Sequence, residues 1–331
     1  MRGSMATKED LVAALARIQR EHGEWSYDIP LPFGVWTKGN LGVPHTRLKR
    51  IVQMAADAAG KPLDQCRVLD LACLDGQFAI EFALHGAQAV GIEIRPSHLA
   101  KARFCADALG LGNVAFHEDD VRNLSAAKYG HFDIVVCSGI LYHLPASDVV
   151  NLVYAMHEVT ERALLIDSQH SRAPVESIRT PKGRTYRGEI LREHADDATE
   201  AQKQASGWAS WDNTMSFWFS RASLVNILQH AGFTSVYECL APVHLNFGQP
   251  GIESTTRLTL LALKSPRVAL VTSPAAASVQ EDMPEDADVA ADWEDCMQQV
   301  RPQLEAADAA PPAKPPGLLG RLLRDVLGRR G

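Results

Sequence analysis

Short apolar segments alternate with amphipathic segments between residues 66 and 166, and this rhythm constrains the fold more than any other feature. Five strands are predicted at 67–72, 87–92, 114–117, 132–137 and 162–166. Helices are predicted between them at 76–85, 98–109 and 147–159. Strands separated by helices form parallel sheets that are covered on both faces and joined by right-handed crossovers. We therefore predict an α/β fold with a Rossmann-like, doubly wound sheet.

Elements on both sides of this core complete a seven-stranded sheet. Two helices precede it, at 7–22 and 44–59, and the loop between them is rich in Trp, Pro and Gly. A helix at 220–232 follows it. Two final strands, at 235–239 and 257–264, are expected to form an antiparallel pair at the sheet edge.

The chain divides into three parts by pattern and composition. Residues 1–64 form an N-terminal helical and aromatic cap, and residues 65–264 form the main domain. Within that domain, the polar insertion at 170–216 is predicted to be a lid, because loops over a pocket mouth commonly set specificity. Residues 265–331 form an acidic, Pro-rich tail that we expect to be disordered. Its end, after residue 317, has the pattern of an amphipathic helix that docks a protein partner or a membrane surface.

Charge and cysteine content exclude several classes of protein. The net charge is −7, and because the excess of acid is concentrated in the tail, the body lacks a general phosphate-binding field. Nucleic acid is therefore a disfavoured partner. The six cysteines include no Cys-x-x-Cys pair, so neither a zinc ribbon nor a disulfide framework is indicated, and we predict no metal. The chain shows neither a spanning apolar stretch nor an apolar leader, so we expect a cytoplasmic protein.

The segment 68–76 carries the first candidate site residues. An apolar strand ends at Asp70, and a tight turn then opens a helix at the sheet edge where α/β folds bind ligands. A dinucleotide site needs Gly-x-Gly-x-x-Gly to approach a pyrophosphate. Here the corresponding positions hold Ala72 and Leu74, and only Gly76 is retained, so pyrophosphate binding is disfavoured.

Two further acids follow the next two strands. Glu93 closes the second strand, 23 residues after Asp70, where a carboxylate accepts hydrogen bonds from both ribose hydroxyls. Asp120 follows the third strand, where its carboxylate suits an adenine amine and the Val121 N–H suits a ring nitrogen. Three acids after three successive strands predict a site for a nucleoside without phosphates.

These landmarks resemble the class I S-adenosylmethionine-dependent methyltransferases over roughly residues 65–264. The resemblance implies S-adenosyl-L-methionine as the cofactor, and it departs from the common Asp-x-Gly-x-Gly-x-Gly pattern at two glycine positions. It implies these cofactor contacts: Asp70, Ala72, Cys73, Leu74 and Gly76 at the methionine end, Glu93 at the ribose, Asp120 and Val121 at the adenine, and Ser138 and Gly139 in the adjoining wall.

Residues 140–144 and 31–37 are similar, more narrowly, to a branch of tRNA wobble-uridine 5-oxyacetate methyl- and carboxymethyltransferases. In the carboxymethylating members a Lys, a Tyr and an Arg hold the carboxylate of carboxy-S-adenosylmethionine. Lys38, Tyr142 and Arg257 are the counterparts that this resemblance implies here. The branch also contains many proteins that act on small molecules and glycans.

Methyl transfer from a sulfonium is an in-line displacement that needs positioning and one base. His143 follows the fourth predicted strand and is the candidate base, since an unperturbed imidazole pKa of ~6.5 suits that role. Tyr142 is a candidate for orienting the donor, and His170 is a reserve base. Aromatic and basic side chains of the cap, lid and last strand are the candidate substrate contacts: Trp36, Lys38, Arg184, Tyr186, Trp208, Trp211 and Arg257.

We therefore predict O-methylation of a small-molecule or sugar-containing metabolite. The first alternative is tRNA wobble-uridine methyl or carboxymethyl transfer, and the nearly neutral body speaks against it. The second is a non-catalytic nucleoside-binding scaffold, which the altered loop at Ala72 and Leu74 leaves open.

Overall fold

The computed structural model describes residues 7–40, 45–172, 174–180, 183–241, 257–272 and 282–285. The chain divides into two units, Met1–Met283 and Pro284–Gly331. Of the described residues, only 284 and 285 belong to the second unit. The predicted amphipathic C-terminal helix lies outside the described residues. Within them, no helix combines the length and the apolar character that crossing a membrane requires.

The described residues contain twelve strands and eight α-helices. The strands are β1 (Pro30–Leu31), β2 (Val35–Trp36), β3 (Arg67–Leu71), β4 (Gln88–Glu93), β5 (Val114–Glu118), β6 (Phe132–Ser138), β7 (Thr160–Gln169), β8 (Glu176–Arg179), β9 (Thr185–Arg192), β10 (Met215–Phe219), β11 (Ser235–Glu238) and β12 (Arg257–Leu263). The helices are α1 (Lys8–His22), α2 (Thr46–Ala59), α3 (Gln77–Leu84), α4 (Pro96–Ala108), α5 (Ala126–Tyr129), α6 (Ala146–Val159), α7 (Glu200–Ala205) and α8 (Arg221–Ala231).

Seven strands form one mixed sheet in the order β11-β12-β7-β6-β3-β4-β5. The pairs among β3, β4, β5, β6 and β7 are parallel, whereas β12 is antiparallel to both β7 and β11. This confirms the predicted Rossmann-like sheet and its antiparallel edge pair. The chain moves outward from β3 in both directions, so a crevice opens at the carboxyl ends of β3 and β6, where such folds bind ligands.

Helices cover both faces of the sheet, and adjacent residues of each strand point to opposite faces. Val68 belongs to the cluster under α2 and α3, which includes Ile51 and Phe78. Leu69, the next residue, belongs to the cluster under α6 and α8, which includes Val149 and Leu224. A strand that is buried on both faces needs apolar residues at successive positions, and the sequence accordingly shows nearly continuous hydrophobic runs, such as 134–137 in β6.

The N-terminal cap agrees closely with the predicted boundaries. Helix α1 begins after Thr7, whose Oγ1 accepts the N–H of Asp10 at 3.2 Å, and ends at Gly23. Helix α2 ends at Gly60, which adopts the left-handed conformation at φ 66°. The aromatic loop between the two helices is anchored by Trp25, which is buried against Phe104 at a ring distance of 6.1 Å.

The insertion differs from the predicted polar lid. Much of it is a three-stranded antiparallel sheet in the order β10-β9-β8. Phe217 and Phe219 on β10 are buried in the main core beneath α6 and α8, which fixes this sheet to the body. The alternation of these apolar residues was available in the sequence as a strand signal. We use "lid" below only for residues 204–213, which run from the last two residues of α7 toward β10.

A short part of the predicted disordered tail has a defined place in the structure. The Asn226 side chain accepts the N–H of Met283 at 2.7 Å and donates to its carbonyl at 2.9 Å. His230 Nε2 lies 2.7 Å from a carboxylate oxygen of Asp282. Helix α8 thus offers polar partners to these two residues of the tail.

Candidate functional site

A cavity of about 380 Å³ opens at the carboxyl edge of the sheet. Its walls come from the loops that follow β3, β4, β5 and β6, from the N-terminal cap and from the lid. Eleven of the residues selected from the sequence line it: Ala72, Leu74, Glu93, Asp120, Val121, Ser138, Gly139, Tyr142, His143, Trp208 and Trp211.

The turn after β3 retains the conformation of a glycine-rich loop without two of its glycines. Ala72 and Leu74 have φ of 52° and 48°, and Gly76 has φ of 84°. The left-handed conformation costs a residue with a Cβ about 1–2 kcal/mol, so the two substitutions store strain in the loop. At Gly76 a Cβ would lie only 2.9 Å from the Phe116 ring, which explains why glycine is required there.

Asp70, Cys73 and Gly76 lie behind the cavity wall rather than on it. The Asp70 carboxylate accepts the N–H of Ala79 at 3.1 Å and thereby joins β3 to α3. Burial raises the pKa of Asp70 to about 8, and burial also raises the pKa of the Cys73 thiol well above its usual value. These residues shape the loop, and of the residues predicted to contact the methionine end, Ala72 and Leu74 line the cavity.

Glu93 lines the cavity, and its side chain is the one predicted to bind the ribose hydroxyls. It is 2% exposed, and its two oxygens accept the N–H groups of Leu74 at 3.0 Å and Arg95 at 2.9 Å. A carboxylate offers about four acceptor positions, so two remain for hydroxyl donors from the cavity. The same side chain therefore fixes the loop after β3 and presents a charge to the site.

Asp120 is connected to the lid through an arginine that the sequence did not single out. The Asp120 carboxylate accepts the Arg122 N–H at 2.8 Å and its Nε at 2.8 Å. Arg122 also donates to Asp212 in the lid, at 2.6 Å. The predicted adenine position and the lid thus share one cation.

A second arginine, Arg95, holds the lid over the cavity. It is 6% exposed and donates to the carbonyls of Gln204, Ser206 at 2.9 Å and Ala209 at 3.0 Å. Its guanidinium lies 5.0 Å from the ring centre of Trp211. No local pattern distinguishes Arg95 or Arg122 from surface arginines, because their partners in the lid lie far along the chain.

His143 forms a dyad with a glutamate that sequence reasoning missed. Its Nδ1 lies 3.0 and 3.1 Å from the two carboxylate oxygens of Glu193, just after β9. Glu193 also accepts the N–H of Ser210 at 3.1 Å. Burial raises the pKa of Glu193, but the hydrogen bond and charge of His143 hold it below its usual value. Because Nδ1 is engaged, Nε2 is the ring nitrogen available to a substrate.

Tyr142 lines the cavity, and Arg257, which is not among the lining residues, contacts its hydroxyl. Arg257 donates to the Tyr142 hydroxyl at 3.4 Å and to Asp167, which is fully buried, at 2.5 Å. Arg47, from α2, lines the cavity and lies 3.8 Å from the same carboxylate oxygen. The predicted third member of this group, Lys38, is exposed and does not line the cavity. Arg47 is therefore the cation that the structure brings to Tyr142 and Arg257.

Two other candidates lie near the cap and after β7, outside the cavity. Trp36 stacks on His45 at a ring distance of 6.4 Å. The Nδ1 of His170 lies 3.1 Å from the Ser171 carbonyl, and burial lowers the pKa of His170. Neither residue is among those that line the cavity, so neither is positioned to contact a molecule bound there.

The predicted substrate contacts Arg184 and Tyr186 face α8 instead of the cavity. Both bind His230: the Tyr186 hydroxyl lies 2.9 Å from its Nδ1 and Arg184 lies 3.0 Å from its Nε2. Tyr186 is buried in the core, because β9 turns this end of the insertion toward α8. The placement expected for these two residues is corrected accordingly. Among the residues that the structure describes, no group of three His, Cys, Asp or Glu is arranged to hold a metal.

Comparison with known proteins adds a family to this geometry. Residues 62–223 match the family model described as a methyltransferase domain. The ubiquinone biosynthesis O-methyltransferase of Acinetobacter baumannii (strain AYE) is 31% identical over 99 residues, which are 30% of this chain and 40% of that protein. The enzyme of the same name from Bordetella pertussis is 33% identical over 99 residues, 30% of this chain and 39% of that protein. The chain thus spans about 40% of the length of these curated relatives.

Among solved structures, the N-terminal domain of EvdMO1, crystallised with SAH and D-fucose, superimposes with a TM-score of 0.58. The match covers 80% of this chain and all of that one at 21% identity, so it shows a common fold. With the family match, it identifies residues 62–223 as a class I S-adenosylmethionine-dependent methyltransferase domain, as the sequence predicted. These matches do not confirm the tRNA wobble-uridine branch.

Proposed function

We propose that this protein is an S-adenosylmethionine-dependent O-methyltransferase that acts on a small-molecule or sugar-containing metabolite. The observation that carries the proposal is the His143–Glu193 dyad, which places a candidate base on the wall that also holds Glu93 and Asp120. A base beside a predicted nucleoside site is what methylation of a hydroxyl requires.

The residues present fit the cofactor. Glu93 has two free acceptor positions for the ribose hydroxyls, and Val121 lies on the wall at the predicted adenine position. S-adenosylmethionine, when bound, supplies a methyl group on a positively charged sulfur. The chain then has to hold this group in line with the acceptor and to remove the acceptor's proton.

Each part of the site has a distinct task in this proposal. His143 Nε2 would take the proton of the acceptor hydroxyl as the oxygen bonds to the methyl carbon and the bond from that carbon to the donor sulfur breaks, which leaves a neutral thioether. Glu193 keeps the proton on Nδ1 and stabilises the imidazolium that forms, as an orienting carboxylate does in other base–carboxylate pairs. Arg95 and Arg122 hold the lid closed, which excludes water from the site.

The named relatives support oxygen as the acceptor atom, because the ubiquinone biosynthesis enzymes are O-methyltransferases. The matching 99 residues are a minor part of those enzymes, so the acceptor proposed here is not drawn from their substrates.

Mass spectrometry of the small molecule released from freshly purified, denatured protein tests the donor first. We expect S-adenosylmethionine or S-adenosylhomocysteine. A coupled assay for S-adenosylhomocysteine formation then screens hydroxylated aromatics, sugars and sugar acids, with total tRNA as a separate arm. His143→Ala serves as the control that retains the donor site.

Turnover with a hydroxylated metabolite that disappears in His143→Ala supports the proposal. Turnover that depends on tRNA and falls steeply with salt contradicts it in favour of the first alternative. A folded protein that takes up neither donor nor product contradicts it in favour of a non-catalytic scaffold.

A further inference from the structure

Three hydrogen-bond donors converge on one point beside Gly139, at the inner end of the cavity. A Cβ placed on Gly139 would lie 3.8 Å from Arg257 Nη2, 3.8 Å from the Tyr142 hydroxyl and 3.9 Å from Arg47 Nη1. Gly139 has φ of 89° and lines the cavity, so this point is open because the residue carries no side chain. The donors come from three separate elements of the chain and are not a local cluster.

The charge of this group is positive. Both ion pairs of Arg47 and Arg257 within the described part of the chain go to Asp167. A third cation, Arg50, is 4% exposed and donates to Thr259 at 2.8 Å, and that hydroxyl donates to Asp167 at 2.8 Å. Within the described part of the chain, two guanidinium groups pair with one carboxylate and a third reaches it through Thr259, so the group carries a net positive charge.

Three buried donors in this group lack a hydrogen bond: Arg50 Nε, Arg257 Nη2 and the Ser138 hydroxyl. The Arg257 side chain is 9% exposed, and its Nη2 contacts Asp167 as an ion pair without an aligned hydrogen bond. The Ser138 hydroxyl is buried and also has no hydrogen-bond partner. Ser138 lines the cavity next to Gly139. Buried donors of this kind are rare in native proteins, and the one on the cavity wall, Ser138, indicates a partner that binds from the cavity.

The position of the group in the sheet shows which ligand supplies that partner. The predicted nucleoside contacts follow β3, β4 and β5, whereas Ser138, Asp167 and Arg257 lie at the ends of β6, β7 and β12. These three strands lie on the opposite side of β3 from β4 and β5. The group therefore lies on the opposite side of β3 from the predicted ribose and adenine contacts, where an acceptor has room beside the donor.

We propose that Arg47, Tyr142 and Arg257 bind a carboxylate of the acceptor, so that the substrate is a hydroxylated carboxylic acid. This inference rests on the proposed O-methyltransferase function. The ring of Tyr142 lies 4.4 Å from that of His143, so a carboxylate at Gly139 places a hydroxyl a few atoms away beside the base. Hydroxybenzoates and uronic acids have this arrangement.

Calorimetry on protein saturated with S-adenosylhomocysteine tests the proposal. The probes are two matched pairs: 3,4-dihydroxybenzoate with 3,4-dihydroxybenzamide, and D-glucuronate with D-glucose. We expect at least one carboxylate to bind about tenfold or more tightly than its neutral partner, as charge-assisted hydrogen bonds predict. Saturation with S-adenosylhomocysteine ensures that its own carboxylate has already taken its place.

Variants assign the preference to the group. Arg47→Gln and Arg257→Gln are expected to remove the preference for the carboxylate and to leave the affinity for S-adenosylhomocysteine unchanged. Arg257→Lys keeps a charge beside Asp167 and provides a folded alternative if Arg257→Gln unfolds. Lys49→Gln is the matched control, because Lys49 is an exposed cation on the same helix as Arg47.

Equal affinities within both probe pairs overturn the proposal, as does a preference that survives both Arg→Gln variants. Loss of affinity for S-adenosylhomocysteine in these variants assigns the anion to the donor's own carboxylate and also overturns it. Tight, Arg257-dependent binding of carboxy-S-adenosylmethionine without a preference in either pair places the carboxylate on the donor, with the same result. If wild-type protein fails to bind S-adenosylhomocysteine at all, the proposed function fails first.

Discussion

Replacing Glu93 by alanine tests the ribose position directly, without knowledge of the acceptor. In the structure its two oxygens already accept the N–H groups of Leu74 and Arg95, and two acceptor positions remain for hydroxyl donors. Loss of these charge-assisted hydrogen bonds is expected to weaken donor binding by roughly 1.5–3 kcal/mol. This corresponds to an increase of about 10- to 150-fold in the Kd of S-adenosylhomocysteine.

The assay is isothermal titration of S-adenosylhomocysteine into wild-type and Glu93→Ala protein, with circular dichroism to establish that both are folded. Glu93→Ala also leaves two buried N–H groups without an acceptor, so a lower melting temperature is expected. Glu93→Gln separates the two effects, because it keeps the size of the side chain and one acceptor oxygen. Its affinity should lie between those of wild type and Glu93→Ala.

Glu118→Ala is the matched control. Glu118 pairs with Glu93 in the β4–β5 register, but it is exposed and does not line the cavity. We expect it to bind S-adenosylhomocysteine as wild type does. If Glu93→Ala is folded and its Kd stays within twofold of wild type, the ribose assignment of Glu93 is refuted.

Three further predictions concern the buried Asp75, the candidate base His143 and the strained Ala72. Asp75 is fully buried, pairs with His98 at 2.7 Å and Lys101 at 3.1 Å, and accepts the Ser26 N–H. Asp75→Asn should therefore lower the free energy of unfolding by about 3–5 kcal/mol. A loss of less than ~1 kcal/mol, measured by urea denaturation, would contradict this. Burial raises the pKa of Asp75, but His98 and Lys101 hold it below its usual 3.8, so its contribution persists above about pH 4 and is lost as the pH falls further. His143→Ala should reduce turnover ~10²–10⁴-fold with donor affinity unchanged, and Glu193→Gln should reduce it less; near-normal turnover in His143→Ala assigns the base elsewhere. Ala72→Gly should raise the unfolding free energy by up to about 1 kcal/mol because it relieves the left-handed strain, whereas the helical control Ala79→Gly should lower it by about 1 kcal/mol; destabilisation by both would show that Ala72 is unstrained.

The sequence was sufficient for the sheet and for most strand ends, although β7 extends to Gln169, three residues beyond its predicted end. The continuous apolar runs fixed β3 to β7, and Asp70, Glu93 and Asp120 could be placed at one edge because parallel strands end on the same side. The turn chemistry was also legible: Gly60 and Gly76 both adopt the left-handed backbone that their positions require. The three-stranded sheet of the insertion was missed, because charged and polar residues interrupt the apolar pattern of β8 and β9.

The contacts that complete the candidate site were beyond the sequence. Glu193 lies 50 residues from His143, and Arg95 lies more than a hundred residues from the lid carbonyls that it binds. Arg47 meets Asp167 only because α2 packs beside β7. Arg184 and Tyr186, by contrast, are residue types suited to substrate binding, but their side chains contact His230 of α8 and not the cavity.

The sequence by itself therefore determined the architecture, the class of the domain and the acids of the predicted nucleoside site. Hydrophobic periodicity and strand-end residues act within a few positions of each other, so their structural meaning can be read locally. The tertiary structure alone decided which charged groups share the cavity. An ion pair or an oriented base depends on the meeting of side chains from distant segments, and no local pattern specifies that meeting.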